Sequence, residues 1–482
     1  MLFSSLKVSG RTLNVVTFGT LFLIFVLNSF RISMKTGFLA GFVFLVLYAC
    51  QPKVQKPIES LVSVDSILIN IYPPQFPDLN FKVEHGKITD TRWSEFINRK
   101  ISDCSDAGGG KVILSAGEYF CEGPVVLKSN VNLHLEEGAR LVFSQNPADY
   151  LPVVFVRWEG TEAYNYSPFI YANNMENIAI TGNGIVDGNG LGEESFRQWR
   201  PLQKDDQNKL REMGRDGVPV EERIFGEGHY LRPQLIHFVN CKNILLENIT
   251  VTNGAFWLIQ PTYCNNITIR GIKVNSKFIN NDGVDLDSSS DVLIENCHFN
   301  TGDDFIAIKS GRDQDGWRVN RSCKNIVIRN SFSDDCLHGI SFGSEISGGI
   351  ENVYVENLSF KKIRQYGLQF KSNKDRGGYI KNIHVNGIQI DSTETCISFT
   401  NQYHSYSGGN SPSLFENIRI ENVDCNVAVK MAISMEGLPE MPIRNVELFH
   451  VRVFNSNKAS VIENVENLVT KNSDIPGFFY AE

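Results

Sequence analysis

Short stretches of alternating apolar and polar residues recur along the chain from residue 111 onward, and most begin with Asn followed by Ile or Val. An alternation with a period of two, rich in Ile and Val, predicts strands that turn one face inward. Successive starts are mostly roughly 22 to 35 residues apart, a spacing typical of a β-solenoid. No helical pattern long enough for a crossover separates the strands, which argues against a doubly wound sheet. The starts are Asn177, Asn243, Asn266, Asn325, Asn352, Asn382, Asn417 and Asn445.

The recurrent Asn predicts a ladder in which side-chain amides bond from coil to coil along the solenoid axis. A solenoid also needs its open end covered, because exposed strand edges invite pairing with other chains. Residues Arg92 to Cys104 predict a short amphipathic helix that serves as this cap, with Trp93, Phe96, Ile97 and Ile101 on one face. The long irregular stretch 188–232 predicts a loop over the face or edge of the solenoid.

The first fifty residues contain two apolar stretches, Leu13 to Leu27 and Phe38 to Ala49. The second follows Met34 and Lys35 and ends at Cys50, an arrangement typical of an export signal. It resembles a bacterial lipoprotein signal, which would make Met34 the start and Cys50 the lipid anchor. Two transmembrane helices are the alternative, although both stretches are shorter than the ~20 residues of a span. The predicted organisation is an extension and signal over 1–50, a tether over 51–75 and a catalytic β-helix over 76–482.

Composition adds few constraints. The 482 residues are 42% hydrophobic, enough for a large core, and the net charge of −8 does not favour nucleic acid or an anionic membrane surface. An acidic protein can still bind an acidic polymer if its site is locally basic. The sequence has no C-x-x-C pair of the kind that indicates a zinc site. Cys241, Cys264 and Cys323 each lie two residues before an Asn that opens a strand. This repeated placement favours buried core thiols over disulfides.

Stacking the coils predicts which side chains are neighbours, because equivalent positions on adjacent coils lie ~4.8 Å apart. Four segments align by their apolar positions: 282–288, 304–310, 338–344 and 366–372. The first inward column is then Val284, Ile306, Ile340 and Leu368, and the second is Leu286, Ile308, Phe342 and Phe370.

The other columns face outward and are polar. One column holds Asp282, Asp304, His338 and Tyr366, the next Asp285, Ala307, Ser341 and Gln369, and the last Asp287, Lys309, Gly343 and Lys371, with Asp303 beside the first. Carboxylates this close cannot all ionise freely, so at least one pKa should rise. An acid and a base from the same residue type suit the hydrolysis of an acetal bond. Turn-forming Asp residues and a Ca²⁺ site are the alternatives.

The blocks Asn280–Asp285, Gly302–Asp304, His338–Gly339 and Lys371 resemble, in order, the signature of the polygalacturonase family, glycoside hydrolase family 28. The resemblance runs from about Pro74 to past residue 400, and its block 343–349 resembles the bacterial, often exo-acting, branch. It implies an all-β fold, a right-handed parallel β-helix. It also implies inverting hydrolysis of α-linked galacturonosyl bonds in pectic polysaccharide or oligosaccharide, with no metal and no other cofactor.

The resemblance also implies roles for individual residues. Asp303 would protonate the leaving oxygen, Asp282 and Asp304 would activate the water, and His338 would tune the acid or hold the geometry. Lys371 would bind a uronate carboxylate. The full set of predicted substrate contacts is Lys371, Gln369, Lys309, Asn280 and Arg376.

Two departures from the family pattern bear on specificity. Leu337 replaces the first Gly of Gly-His-Gly, and Gln369 stands where the family has Arg. Because Gln lacks the charged fork of Arg, we expect weaker carboxylate recognition and a modified or mixed pectin as substrate. Nearby cations that would compensate are Arg312, Arg318, Lys374 and Arg376.

Two other functions fit a β-solenoid: a polysaccharide lyase and a non-catalytic glycan binder. The expected context is an exported monomer, lipid-anchored at Cys50 in the outer membrane, facing the periplasm or the cell surface, with no other membrane contact and no nucleic-acid partner.

Overall fold

A computed structural model describes residues 5–8, 11–14, 62–85, 92–404 and 406–478, in two compact units, 1–59 and 60–482. In the first unit, Ser5–Val8 pairs with Arg11–Asn14 as an antiparallel hairpin. The predicted start at Met34, the anchor Cys50 and the tether up to residue 61 lie outside the described residues. Within the described part of the chain, no helix has the length and apolar character needed to cross a membrane.

Strands dominate the second unit and follow one another from residue 80 to residue 471. In chain order after the hairpin strands β1 (Ser5–Val8) and β2 (Arg11–Asn14), they are β3 (Asn80–Val83), β4 (Gly110–Leu114), β5 (Gly117–Cys121), β6 (Val125–Val126), β7 (Val131–Leu135), β8 (Ala139–Phe143), β9 (Val154–Trp158), β10 (Thr161–Asn165), β11 (Ile170–Asn173), β12 (Glu176–Gly182), β13 (Ile185–Asp187), β14 (Ile224–Phe225), β15 (Ile236–Val239), β16 (Lys242–Glu247), β17 (Thr250–Thr252), β18 (Ile259–Thr262), β19 (Asn265–Arg270), β20 (Lys273–Ser276), β21 (Val284–Asp287), β22 (Ser290–Glu295), β23 (His298–Thr301), β24 (Asp304–Lys309), β25 (Cys323–Ser333), β26 (His338–Gly343), β27 (Ile350–Lys362), β28 (Tyr366–Lys371), β29 (Tyr379–Thr400), β30 (Leu414–Glu436), β31 (Ile443–Val453), β32 (Ser456–Lys458), β33 (Val461–Glu463) and β34 (Val465–Lys471).

Apart from the hairpin β1–β2 and the small sheet of β9, β10 and β14, in which β9 and β10 are antiparallel, these strands pair in parallel with the strands of the preceding and following coils. They form the predicted all-β, right-handed parallel β-helix. One wall of the solenoid, called here the site face, contains β21, β24, β26 and β28. Its register confirms the predicted columns. Val284 pairs with Ile306, which pairs with Ile340 and then with Leu368. The second inward column, which begins at Leu286, has the same register, and both columns are fully buried.

The predicted Asn ladder is confirmed at the turns. The amide of Asn243 donates to Asn177 and that of Asn266 donates to Asn243, each at 2.8 Å. Further along, Asn382 donates to Asn352, and Asn352 to Asn325, each at 3.2 Å. Each ladder Asn also has φ between 53° and 57°, a left-handed conformation that Asn tolerates better than most residues. The repeat thus needs Asn for its backbone conformation as well as for its amide.

In the described part of the chain, four α-helices lie against the solenoid: α1 (Val64–Leu68), α2 (Trp93–Asp106), α3 (Lys204–Arg215) and α4 (Asp313–Val319), with 3₁₀ turns at Pro147–Tyr150, Phe196–Trp199 and Val220–Glu222. Helix α2 is the predicted cap. Its residues Trp93, Ile97, Ile101 and Cys104 are buried in the main core, with Phe96 packed against it. The capping prediction is therefore confirmed.

Helix α1 lies in the stretch predicted to be a tether. Its Ile67 packs on Val327 of β25 and Tyr354 of β27, two residues that lie outside the main core of the solenoid. The Tyr354 hydroxyl donates to the carbonyl of Val62 at 2.6 Å. The segment from Val62 to the end of α1 is therefore held against the solenoid. The domain boundaries at 50 and 75 stay predictions.

The nine cysteines in the described ranges are all buried and reduced, in agreement with the predicted core thiols. The stretch 188–232 covers the site face, as expected for a loop there. Unlike a plain loop, however, it contains α3. Leu210 and Met213 of this helix pack with Trp158 and Phe225 in a small separate core, which anchors the helix beside the site.

Candidate active site

The polar columns of the site face are brought together as predicted, but they form the floor of a deep pocket. Asp304 pairs in register with His338, and Ser341 with Gln369. The hairpin β9–β10, helix α3 and the segment around Tyr403 rise around this floor, so that Asp282, Asp304 and His338 are no more than 5% exposed. The pocket has a volume of about 600 Å³. The sequence predicts that these polar columns face the solvent. That prediction is wrong in one respect, because the covering segments bury most of the floor.

Asp304 is the most strongly bound carboxylate of the floor. Its Oδ1 is in close hydrogen-bond contact with His338 Nδ1, and its Oδ2 lies 3.2 Å from Lys371 Nζ. Burial alone would raise the pKa of Asp304, but Lys371 and His338 outweigh it and hold this pKa well below its usual range. Asp304 is therefore ionised. On its other side, His338 Nε2 lies 2.9 Å from Gln365 Oε1, which fixes the ring plane.

The neighbouring Asp303 has a looser environment. Its Oδ2 accepts from the backbone N–H of Asn280 at 3.2 Å and from the side-chain amide of Asn280 at 3.4 Å. Its Oδ1 lies 3.9 Å from His338 Nδ1, and its side chain is 16% exposed, compared with 2% for Asp304. Asn280 is held by Arg232, which donates to its Oδ1 at 2.7 Å. Asp303 thus faces the pocket with a carboxyl that a bound molecule can reach.

Asp282 and Asp285 are the least stabilised carboxylates. Both are buried, and burial is the main reason that the pKa of each lies well above its usual range. Asp285 adds to the effect on Asp282 because like charges repel. Lys309 lies 3.5 Å from Asp285 Oδ1 and offsets only part of the cost. The rise in at least one carboxyl pKa predicted from the sequence is confirmed in direction.

The side chains above the floor are mostly charged and bound to one another. Arg312 contacts Glu345 closely and donates to the carbonyl of Glu159 at 2.9 Å. Arg211 of α3 donates to the Glu159 carboxylate at 2.7 Å. Lys309 lies 3.3 Å from Glu345 Oε2. Burial would raise the pKa of Glu345, but Lys309 and Arg312 keep it well below the usual range, so Glu345 is ionised.

Nine of the ten predicted site residues, all but the anchor Cys50, line this pocket: Asp282, Asp303, Asp304, His338, Lys371, Gln369, Lys309, Asn280 and Arg376. Gln369 Oε1 and Arg376 Nη2 are buried without a hydrogen-bond partner in the described chain. Both predicted lysines already bind protein carboxylates, so their charge is partly neutralised before any substrate arrives. Cys50 lies outside the described residues.

Three other residues named from the sequence lie elsewhere. Arg318 pairs with Glu162 and Asp315, away from the pocket. Lys374 pairs with Glu440 at 2.6 Å. Asp287 turns to Arg157, 2.9 Å away. These residues do not compensate for the missing Arg at 369, whereas Arg312 and Arg376 lie in the pocket.

Sequence reasoning did not assign a role to Glu159, Arg211, Trp257, Glu345 or Tyr403, which also line the pocket. Lys309 Nζ lies 4.5 Å from the ring centre of Trp257, and Lys371 Nζ lies 5.4 Å from that of Tyr403, so both rings flank the lysines. Glu345 follows Gly343 of the third column, and extending that column would have placed it near Lys309. The other four residues come from segments that do not repeat from coil to coil. For such segments, strand register does not predict which side chains are neighbours.

Asp303, Asp304 and His338 are the one group in the described chain with ligand atoms close enough for a metal ion, within 4.8 Å of one another. The ammonium of Lys371 binds the Asp304 carboxylate at 3.2 Å and supplies positive charge there. Because Lys371 already neutralises Asp304, these three residues offer few free oxygens. They are therefore a poor fit to a hard divalent cation, which prefers several oxygen ligands.

The family model described as "Glycosyl hydrolases family 28" matches residues 222–473, which include all the floor residues of the pocket. The chain belongs to this family. It is accordingly a glycoside hydrolase.

Relatives of this family 28 member include a protein of Vitis vinifera described as a probable polygalacturonase. It is 29% identical over 395 residues, which cover 79% of this chain and 74% of the relative. Among solved structures, the hyperthermoactive exopolygalacturonase from Thermotoga maritima is 34% identical with a TM-score of 0.80, covering 86% of this chain and 96% of that one. The polygalacturonase from Erwinia carotovora ssp. carotovora supports the fold, with 19% identity, a TM-score of 0.58 and coverage of 84% and 96%.

Proposed function

We propose that this family 28 member hydrolyses α-linked galacturonosyl bonds in pectic polysaccharides or oligosaccharides, with inversion at the anomeric carbon. The observation that carries the proposal is the floor of the pocket. There an ionised Asp304, a reachable Asp303 and a high-pKa Asp282 lie among cations. Related proteins described as polygalacturonases support the substrate class.

Asp303 is the general acid in this proposal. It is the carboxyl most open to the pocket, so its proton can pass to the leaving glycosidic oxygen. Asp304 is the general base, because Lys371 and His338 keep it ionised. It accepts the proton of the water that attacks the anomeric carbon from the opposite face.

Asp282 has a different part in this proposal. Its raised pKa favours the protonated form in the empty pocket, so it holds the attacking water in place by a hydrogen bond rather than sharing the base role equally. His338 positions Asp304 through their close contact and lies 3.9 Å from Asp303.

The substrate carboxylate is met by a basic environment. Lys309, Lys371, Arg312 and Arg376 line the pocket, although three of these cations are already close to Asp304 or Glu345. Gln369 contributes a neutral, unpaired amide at the floor. We therefore propose a modified or mixed pectin as the preferred substrate, with exo action, as suggested by the exopolygalacturonase of Thermotoga maritima.

Product analysis on a panel of pectic fragments tests the reaction. Hydrolysis releases new reducing ends without an unsaturated product that absorbs in the ultraviolet, and cleavage persists in EDTA. Absorbance at the cut end together with loss of activity in EDTA would identify a lyase instead. No cleavage of any fragment, with binding retained, would favour the non-catalytic glycan binder. Release of single units or short ends, as opposed to random internal cuts, tests the exo assignment.

We also propose that the protein is an exported monomer anchored by lipid on Cys50, with Met34 as the start. The sequence pattern over 34–50 supports this. Intact mass of the mature protein from membranes tests it. A mass that begins at Cys50 with added lipid agrees with the proposal, and a mature form that keeps residues 1–33 would contradict it.

A further inference from the structure

A second cavity of about 450 Å³ adjoins the catalytic pocket. Lys204, Arg211 and Arg312 line both cavities, so they stand at the junction. The second cavity continues along α3 past Arg215 and is bounded on the other side by Tyr406.

The face of α3 that borders this cavity is polar and basic. Lys204, Asn208, Arg211 and Arg215 are spaced at i, i+4, i+7 and i+11, which places them in one row on the helix. The row extends about 16 Å along the helix axis at 1.5 Å per residue, longer than a single sugar unit. The opposite face of the helix carries Leu210, which anchors it in the small core.

The two ends of this row carry charge that the described residues leave largely unmatched. Lys204 Nζ donates to the neutral Gln207 at 3.2 Å. Arg215 has only a distant partner in the described chain, Asp216 at 4.0 Å, and both side chains are exposed. By contrast, Arg211 and Arg312 in the middle are bound to Glu159.

Two acids also border the cavity. The carboxylate of Asp313 is in close contact with Arg376 and is thereby neutralised. Glu212 is exposed to solvent. Lys204 and Arg215 are therefore the basic side chains of this cavity that hold no close carboxylate, and at the two ends of the row they offer positive charge to an anion.

We propose that this cavity, called here the α3 groove, is a further subsite that binds the carboxylate of a second or third uronate unit of the same chain. The inference rests on the proposed function, because it takes the substrate to be a polyuronide whose first unit occupies the catalytic pocket. Lys204 contacts the carboxylate nearest the junction, and Arg215 contacts one further along the chain. The groove gives the enzyme a preference for longer acidic chains.

Arg215→Gln tests the subsite, because Arg215 borders the α3 groove and not the catalytic pocket. The quantity measured is the ratio of kcat/KM on tetragalacturonate to that on digalacturonate, with the full chain. We expect this ratio to fall roughly fivefold, the effect of losing one exposed charge contact. Arg215→Glu should lower it further. Adding salt should lower the ratio for the unaltered protein, since exposed charges are screened.

Lys209→Gln is the matched control. Lys209 lies on the same helix but borders neither cavity, and its ammonium lies 5.9 Å from the ring centre of Phe225. This variant should keep the ratio of the unaltered protein. An equal ratio in both Arg215 variants and the unaltered protein, with turnover of both substrates intact, would overturn the subsite alone. No turnover of either galacturonide by the unaltered protein would overturn the proposed function as well.

Discussion

Asp303 and Asp304 are adjacent in sequence, yet their surroundings differ sharply. Asp304 starts strand β24 and is buried against His338 and Lys371. Asp303 precedes the strand, accepts two longer hydrogen bonds from Asn280 and faces the pocket. The first arrangement keeps a charge in place, and the second leaves a carboxyl that a bound molecule can reach. In the proposed mechanism, these two identical side chains take the two roles that acetal hydrolysis needs.

Replacing each of these two residues by Asn should separate catalysis from stability. Asp303→Asn should lower kcat by roughly 10²- to 10⁴-fold and leave the free energy of unfolding almost unchanged. Asp304→Asn should lower kcat and also cost about 3 kcal/mol of stability, because it leaves Lys371 buried without its partner. Product assays and urea unfolding measure the two effects. Normal turnover in Asp303→Asn would contradict its role as the acid.

Gln369 is the residue that should set substrate preference. Gln369→Arg should raise kcat/KM on unmodified polygalacturonate, because a guanidinium can form a charged, bidentate contact with a uronate carboxylate. Gln369→Glu is the matched control and should lower it. Unchanged or lower activity of the Arg variant on this polymer would count against the proposed preference for modified pectin.

At the scale of the element, the repeat itself carries most of the information. The inward columns of the site face follow from apolar alternation alone, because a one-residue slip would expose the whole hydrophobic set. The capping helix follows from its amphipathic pattern. Helix α3 was not predicted, since only Leu210 and Met213 of its twelve residues contribute to an apolar stripe. Polar side chains on its other face line the pocket. The helix therefore lacks the regular apolar spacing that predicts a helix from sequence.

The same reasoning separates the predictable part of the site from the rest. Asp282, Asp304, His338 and Lys371 could be placed together because strand register fixes their neighbours. Glu159 could not, since it comes from the turn of a hairpin whose position over the floor depends on tertiary packing. For this reason the sequence does not predict the depth of the pocket. It also does not predict that Lys309 and Lys371 are paired with carboxylates of the protein itself.

The Asn ladder gives a prediction at this scale. Asn352→Ala should lower the free energy of unfolding by about 2 kcal/mol. The residue loses amide bonds to Asn325 and Asn382, and Ala tolerates a φ of 57° less well than Asn because it lacks the short polar side chain that can bond locally. Asn352→Gly keeps the φ preference and should cost less. Equal stability of the Ala variant and the unaltered protein in urea unfolding would refute the account of the ladder.

At the scale of the whole molecule, the protein is acidic overall, with a net charge of −8, while its pocket concentrates cations and carboxylates in a buried network. Such a network makes stability depend on pH in both directions. Asp304 and Glu345, whose pKa values are lowered, stabilise the fold above the usual carboxyl range and lose this contribution as the pH falls through their folded pKa values. Asp282, whose pKa is raised, acts in the opposite sense.

Asp282→Asn should therefore stabilise the protein. In the unaltered chain, the contribution of protonated Asp282 is lost as the pH rises from the unfolded carboxyl pKa, about 3.9, through the higher folded value. The Asn variant has no such loss, so its Tm should exceed that of the unaltered protein by an amount that grows with pH. Thermal unfolding across a pH series measures this difference. A constant or negative difference would show that Asp282 is ionised at no cost, contrary to its burial.

The account as a whole depends on water attacking the anomeric carbon from the face opposite Asp303. Proton NMR of the first product released from an α-linked galacturonide, recorded before mutarotation, observes this directly. We predict that the product appears first as the β-anomer and that no unsaturated uronate forms. Initial release of the α-anomer, or of a 4,5-unsaturated product, would contradict inverting hydrolysis at this pocket.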